Sequence, residues 1–171
     1  MDAPSNCEVC GFSWEAFNAE VVAGRLLAEA TFLNAELRGG GDDLDRRLSS
    51  EHWSAREYAG HVRDVLIAVR DRMVTASIID HPTGQPIYRE ERVALGLYAR
   101  EDAGELGNAI LVAATALART VEVLATTASS RSMRYGSVPP FDFDADLGWV
   151  AQQGLHELVH HRSDIAAALA G

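Results

Sequence analysis

Two cysteines in 171 residues, Cys7 and Cys10, are too few for a disulfide framework. Basic residues are also scarce. Fifteen of them against 25 acids leave a net charge of −10 and an isoelectric point near 4.9. Such a balance disfavours a nucleic-acid or anionic-membrane surface, which needs a basic patch. No unbroken apolar run reaches the ~18 residues of a membrane span. The start, Met1-Asp2-Ala3-Pro4, lacks the basic residues and apolar core of a signal peptide. A cytoplasmic protein with neither nucleic acid nor membrane as partner is the expectation. Internal repeats, low-complexity tracts and strand-like alternation are absent as well. What is present is 47% hydrophobic content, enough for one domain with its own core.

That content is arranged at helical spacing. Ser13 to Arg38 reads as a first helix, with Phe17, Val21, Leu26, Phe32 and Leu33 recurring and Gly39-Gly40-Gly41 as the stop. The second begins at Trp53-Ser54, where Ser54 and Glu57 have capping-box spacing. Tyr58, Val62, Val65, Leu66, Val69 and Met73 then mark one apolar face, with His61 and Asp64 beside it. Residues 81–100 hold Pro82, Gly84 and Pro86 and read as a loop with a short helical piece around Arg92–Tyr98. A third helix spans about Asp102–Thr127, a loop with Pro139-Pro140 covers Ser129–Phe143, and a fourth helix runs from Asp146 to Ala170. The expected fold is all-α, a four-helix bundle over residues 13–171 behind a short extension, residues 1–12. Bundles build metal sites from inward side chains on facing helices.

The last helix carries the chemistry in His156-Glu157-Leu158-Val159-His160-His161-Arg162-Ser163-Asp164. Residues four apart share a helix face, so His156 can pair with His160, or Glu157 with His161. At about 100° per residue, Leu147, Leu155, Leu158, Ile165 and Leu169 define an apolar face centred near Leu158. Glu157 and His161 then flank the core, roughly 60–100° from that centre, and His61 sits comparably on the second helix. His156 and His160 fall about 160° away, on the side expected to meet water. His156-Glu157-x-x-His160 also matches the H-E-x-x-H spacing of zinc proteases. Against that reading, only eleven residues follow His160, and no protease-like strand domain precedes it.

Trp53-Ser54-x-x-Glu57-x-x-x-His61-x-x-Asp64, followed about a hundred residues later by Glu157-x-x-x-His161-x-x-Asp164, resembles the DinB-like superfamily. More narrowly, it resembles the metal-binding domain of mycothiol-dependent maleylpyruvate isomerase. The resemblance covers residues ~13–171. It implies a divalent metal held by His61, Glu157 and His161, with Zn²⁺ first and Ni²⁺ or Fe²⁺ as alternatives. It also implies transfer or isomerisation of a small-molecule substrate with a low-molecular-weight thiol such as mycothiol as cosubstrate. A homodimer is compatible with it.

Two imidazoles and one carboxylate leave coordination positions open for water or a thiolate, so metal-assisted hydrolysis is the enzymatic alternative. A non-enzymatic bundle sensing metal or redox state is the other. The plainer role of each residue is structural: Glu57 as a cap, Asp64 and Asp164 as partners of an imidazole or of Arg63 and Arg162. Arg134, Tyr135 and Arg162 are candidates for an anionic substrate. The pair Cys7-x-x-Cys10 reads as a plain tail, a redox pair or a contribution to a metal site. It is not expected to be needed for folding, because the bundle pattern begins after it.

Overall fold

The computed structural model describes residues 3–170. Helix α1 spans Ala19–Gly39, α2 Ala55–Ile78, α3 Arg89–Ala94, α4 Ala103–Thr127 and α5 Leu147–Ala170. A 3₁₀ turn at Gly41–Asp45 links α1 to the loop before α2. Two three-residue strands, β1 (Ser132–Arg134) and β2 (Asp144–Asp146), pair antiparallel with Met133 opposite Ala145. Strands this short show no alternation in a sequence, and none was expected.

The caps explain the boundaries. Ser54 accepts from the Glu57 amide while the Glu57 side chain accepts from the Ser54 amide, so the capping box is real. Asp102 caps α4 by accepting from the Glu105 amide. Helix α1 starts six residues later than its apolar pattern suggests, because Asn18 caps it through the Val21 amide. Residues before it form a small hairpin instead: Asn6 bridges Ser13, and the Trp14 amide donates to Ser5 O. The buried face of α1 is Val22, Ala23, Leu26, Ala30, Leu33 and Leu37; Phe17, Val21 and Phe32 lie outside. The short helix α3, by contrast, begins earlier than expected, at Arg89. It ends before Gly96, whose φ of +67° suits glycine.

Around the bundle, α1 packs on α4, α4 on α2, α2 on α5, and α5 back on α1. Consecutive helices α1 and α2 are therefore diagonal, as are α4 and α5. Leu26, Leu66, Leu117, Leu155 and Leu158 sit in the shared core. Each such leucine contributes roughly 1.5–3 kcal/mol through burial. Helix α4 is apolar enough over 18 residues to pass a membrane-span test by length and composition, although its longest unbroken apolar stretch is only Ala109 to Ala114. Its stripe of Leu106, Ile110, Ala113, Leu117 and Val121 is nonetheless buried against the other helices.

The α2–α5 contact positions the site. On α5, Gly154 leaves room for Leu117 of α4, 2.7 Å from where a Cβ would lie, and for Val69 of α2 at 3.4 Å; on α2, Gly60 leaves room for Tyr98, whose Cδ1 would lie 2.3 Å from a Cβ. Tyr98 is fully buried and donates to Asp64 Oδ2 at 2.8 Å, which ties the α3–α4 connection to α2.

Candidate metal centre

His61 lies two turns into α2, and Glu157 and His161 lie one turn apart on the facing side of α5. The structure brings all three together. His61 Nε2 is 3.3 Å and His161 Nε2 3.4 Å from the same atom, Glu157 Oε2. The two imidazoles stand nearly perpendicular, 82° apart with centroids 5.1 Å from each other. These separations exceed the ~2.7–2.9 Å of a charge-assisted hydrogen bond. Tetrahedral ligands ~2.0–2.1 Å from a zinc ion lie roughly 3.3–3.4 Å from one another. The donor set fits a divalent cation in both spacing and chemistry.

Neighbours hold these donors. His161 Nδ1 lies 2.8 Å from Asp164 Oδ2, so its Nε2 is turned toward Glu157. Gln153 Nε2 donates to Glu157 Oε1 at 2.7 Å and leaves Oε2 for the site. Burial opposes charge on Glu157, but His156, His161 and His61 hold its carboxyl well below the usual range. Burial likewise lowers His161, while Asp164 and Glu157 outweigh it and raise the imidazole to about 9. A cation entering the site replaces that proton.

The other candidates separate. Asp64 does not reach an imidazole; it pairs with Arg63 at 2.9 Å and Arg92 at 2.6 Å. Arg162 pairs with Glu29 rather than Asp164 and stacks over Phe32. Arg134 pairs with Asp142 and Asp144. Glu57 is the cap and binds Arg47. Tyr135 lines a cavity of about 480 Å³ whose wall includes His61 and Glu157. Arg72 and Arg89 line it too, and neither was evident from the sequence. The wall forms where loop 82–88 runs beside β1, with the Gly84 amide donating to Arg134 O. A larger cavity of about 710 Å³ shares Arg72 but none of the three metal-site residues.

His156 overturns an expectation. It is only 8% exposed, because the N-terminal hairpin covers the outer side of α5. Phe12 and Trp14 pack on its ring, and Trp14 stacks on Trp149. The hairpin is fastened by Trp149 Nε1 donating to Pro4 O and Gln152 Nε2 to Glu15 O. Cys7 and Cys10 therefore lie against α5 as free thiols rather than on a loose tail.

The family model of the DinB superfamily matches residues 22–165. This chain belongs to that superfamily. The matched span contains the core of every long helix and all three residues of the candidate centre. Among solved structures, it is similar to YfiT from Bacillus subtilis at 16% identity and a TM-score of 0.67. That match covers 90% of this chain and 89% of the other, and it shows the shared fold. YfiT is described as a probable metal-dependent hydrolase with an unusual four-helix bundle topology. No curated protein matches the chain.

Proposed function

We propose that this protein is a metal-dependent enzyme acting on small molecules. His61, Glu157 and His161 are its metal ligands, and the 480 Å³ cavity beside them is its substrate pocket. The observation that carries this reading is the convergence of two imidazole Nε2 atoms on one carboxylate oxygen at 3.3 and 3.4 Å. When bound, the metal supplies a Lewis acid that lowers the pKa of a coordinated water or thiol. The protein's own residues do the rest. Asp164 orients His161, Gln153 orients Glu157, and the buried flanks of α2 and α5 exclude bulk water.

Our first assignment of reaction is thiol transfer or isomerisation with a low-molecular-weight thiol. The cavity falls within the ~300–1,000 Å³ of ordinary small-molecule sites. Arg72 and Arg89 suit the carboxylates of such a thiol or its acceptor. Zinc is the first choice of ion, on the donor set. The hydrolase reading uses the same site with water as nucleophile, and the description of YfiT favours it.

The test offers metal-loaded protein a low-molecular-weight thiol with a chromogenic electrophile and, separately, chromogenic esters and amides. Thiol-dependent turnover that is abolished in His61→Ala and Glu157→Gln supports the transferase. Hydrolysis without thiol, lost in the same variants, makes it a hydrolase. Turnover unchanged in both variants would remove the proposed site from the chemistry.

A further inference from the structure

His156-Glu157-x-x-His160-His161 sends side chains to two sides of α5. Glu157 and His161 face α2; His156 and His160 face the N-terminal hairpin. Cys7 Sγ lies 3.6 Å from His160 Nδ1. The ligand atoms of Cys7, Cys10, His156 and His160 all lie within 4.8 Å of one another. Both ring nitrogens of His156 are buried and lack a hydrogen-bond partner. A buried ring nitrogen without a partner is costly, so the position of His156 calls for a ligand.

We propose that Cys7, Cys10, His156 and His160 form a second, tetrahedral metal site that takes zinc and fastens the N-terminal hairpin to α5. Four donors with two thiolates match a closed structural zinc site, and thiolate with imidazole selects zinc over the harder divalent ions. The spacing, C-x₂-C with H-x₃-H, is that of Cys₂His₂ centres. With bonds of ~2.3 Å to sulfur and ~2.0–2.1 Å to nitrogen, tetrahedral geometry puts sulfur and nitrogen roughly 3.5–3.6 Å apart. The Cys7–His160 distance meets this. The cysteine turn is already shaped: the Cys7 amide donates to Phe12 O, the Gly11 amide donates to Cys7 O, and Gly11 takes φ +72°, a region open to glycine. Binding displaces the thiol protons to solvent, and two thiolates neutralise the ion's charge. His156 Nδ1 stands 3.6 Å from Glu157 Oε1, which leaves Nε2 for the cysteine side.

This inference does not rest on the α2–α5 site being catalytic, and its test separates the two. The full-length, untagged chain is prepared under reducing conditions with zinc, dialysed, and assayed for metal. The expected content is about two ions per chain, falling to about one in Cys7→Ser/Cys10→Ser and also in His61→Ala. Cobalt is then substituted for zinc. A thiolate-to-cobalt charge-transfer band, present in wild type and His61→Ala but absent from the cysteine variant, supports the site. A wild-type cobalt protein without that band overturns it. So does a cysteine variant with undiminished metal, or a Cys7–Cys10 disulfide that persists under reducing conditions. The cobalt spectrum of the wild type answers the question even where a variant fails to fold.

Discussion

At the scale of single residues, the separation of ligands from supporting groups makes the account testable. Asp164 meets His161 at Nδ1, the nitrogen turned away from Glu157. Asp164→Ala is expected to weaken metal binding about 10–100-fold without altering the helical circular-dichroism signal. Competition with a chromophoric chelator measures this, and an unchanged affinity would remove Asp164 from the site. Glu57 allows a prediction in pH. Burial raises its carboxyl, but Arg47 and the Ser54 amide outweigh burial and lower it. A folded pKa below the unfolded value of about 4.3 gives stability that is present above that pH. It is lost as pH falls through the folded value. Glu57→Gln can still cap but carries no charge. Its stability deficit in urea unfolding is therefore expected at pH ~7 and should shrink below pH ~4. A deficit independent of pH would show that the charge contributes nothing. The register of Glu157 and His161 was legible in the sequence, because Leu147, Leu155, Leu158 and Ile165 do face the core. The burial of His156 was not. Periodicity reports the side of a helix that meets the bundle, and here a separate hairpin covers the opposite side.

At the scale of elements, helix ends followed their caps. Ser54 with Glu57 and Asp102 with Glu105 placed the starts of α2 and α4 correctly. The start of α1 was misplaced because Phe17 and Val21 fit a helical stripe but are 37% and 53% exposed. The Asn18 cap, with its side chain on the Val21 amide, was the overlooked signal. Close packing of α2 on the segment before α4 supplies a stability prediction. Gly60→Ala would drive a methyl to 2.3 Å from Tyr98, which has no open side to move toward. Overpacking of this kind costs about 1–3 kcal/mol. In a chain of this size that corresponds to a fall in Tm of roughly 2–9 °C. Thermal unfolding by calorimetry measures it. An unchanged Tm would mean that Tyr98 swings away freely, and that the Tyr98–Asp64 hydrogen bond does little to hold the α3–α4 connection.

At the scale of the whole molecule, the all-α bundle was readable from four apolar periods, while its topology and pocket were not. The diagonal placement of α1 and α2 depends on how the helices pack, which no single helix pattern encodes. The cavity depends on loop 82–88 meeting the β1–β2 connection, two proline-containing loops about fifty residues apart in sequence. The three proposed ligands nevertheless come together, because each borders an apolar stripe and the stripes of α2 and α5 face each other. The most direct test of that convergence is a crystal structure of the zinc-loaded protein with anomalous data collected on both sides of the zinc edge. The expected result is a zinc peak about 2.0–2.2 Å from His61 Nε2, Glu157 Oε2 and His161 Nε2. Zinc sites formed by other residues, with no anomalous peak among these three atoms, would contradict the account.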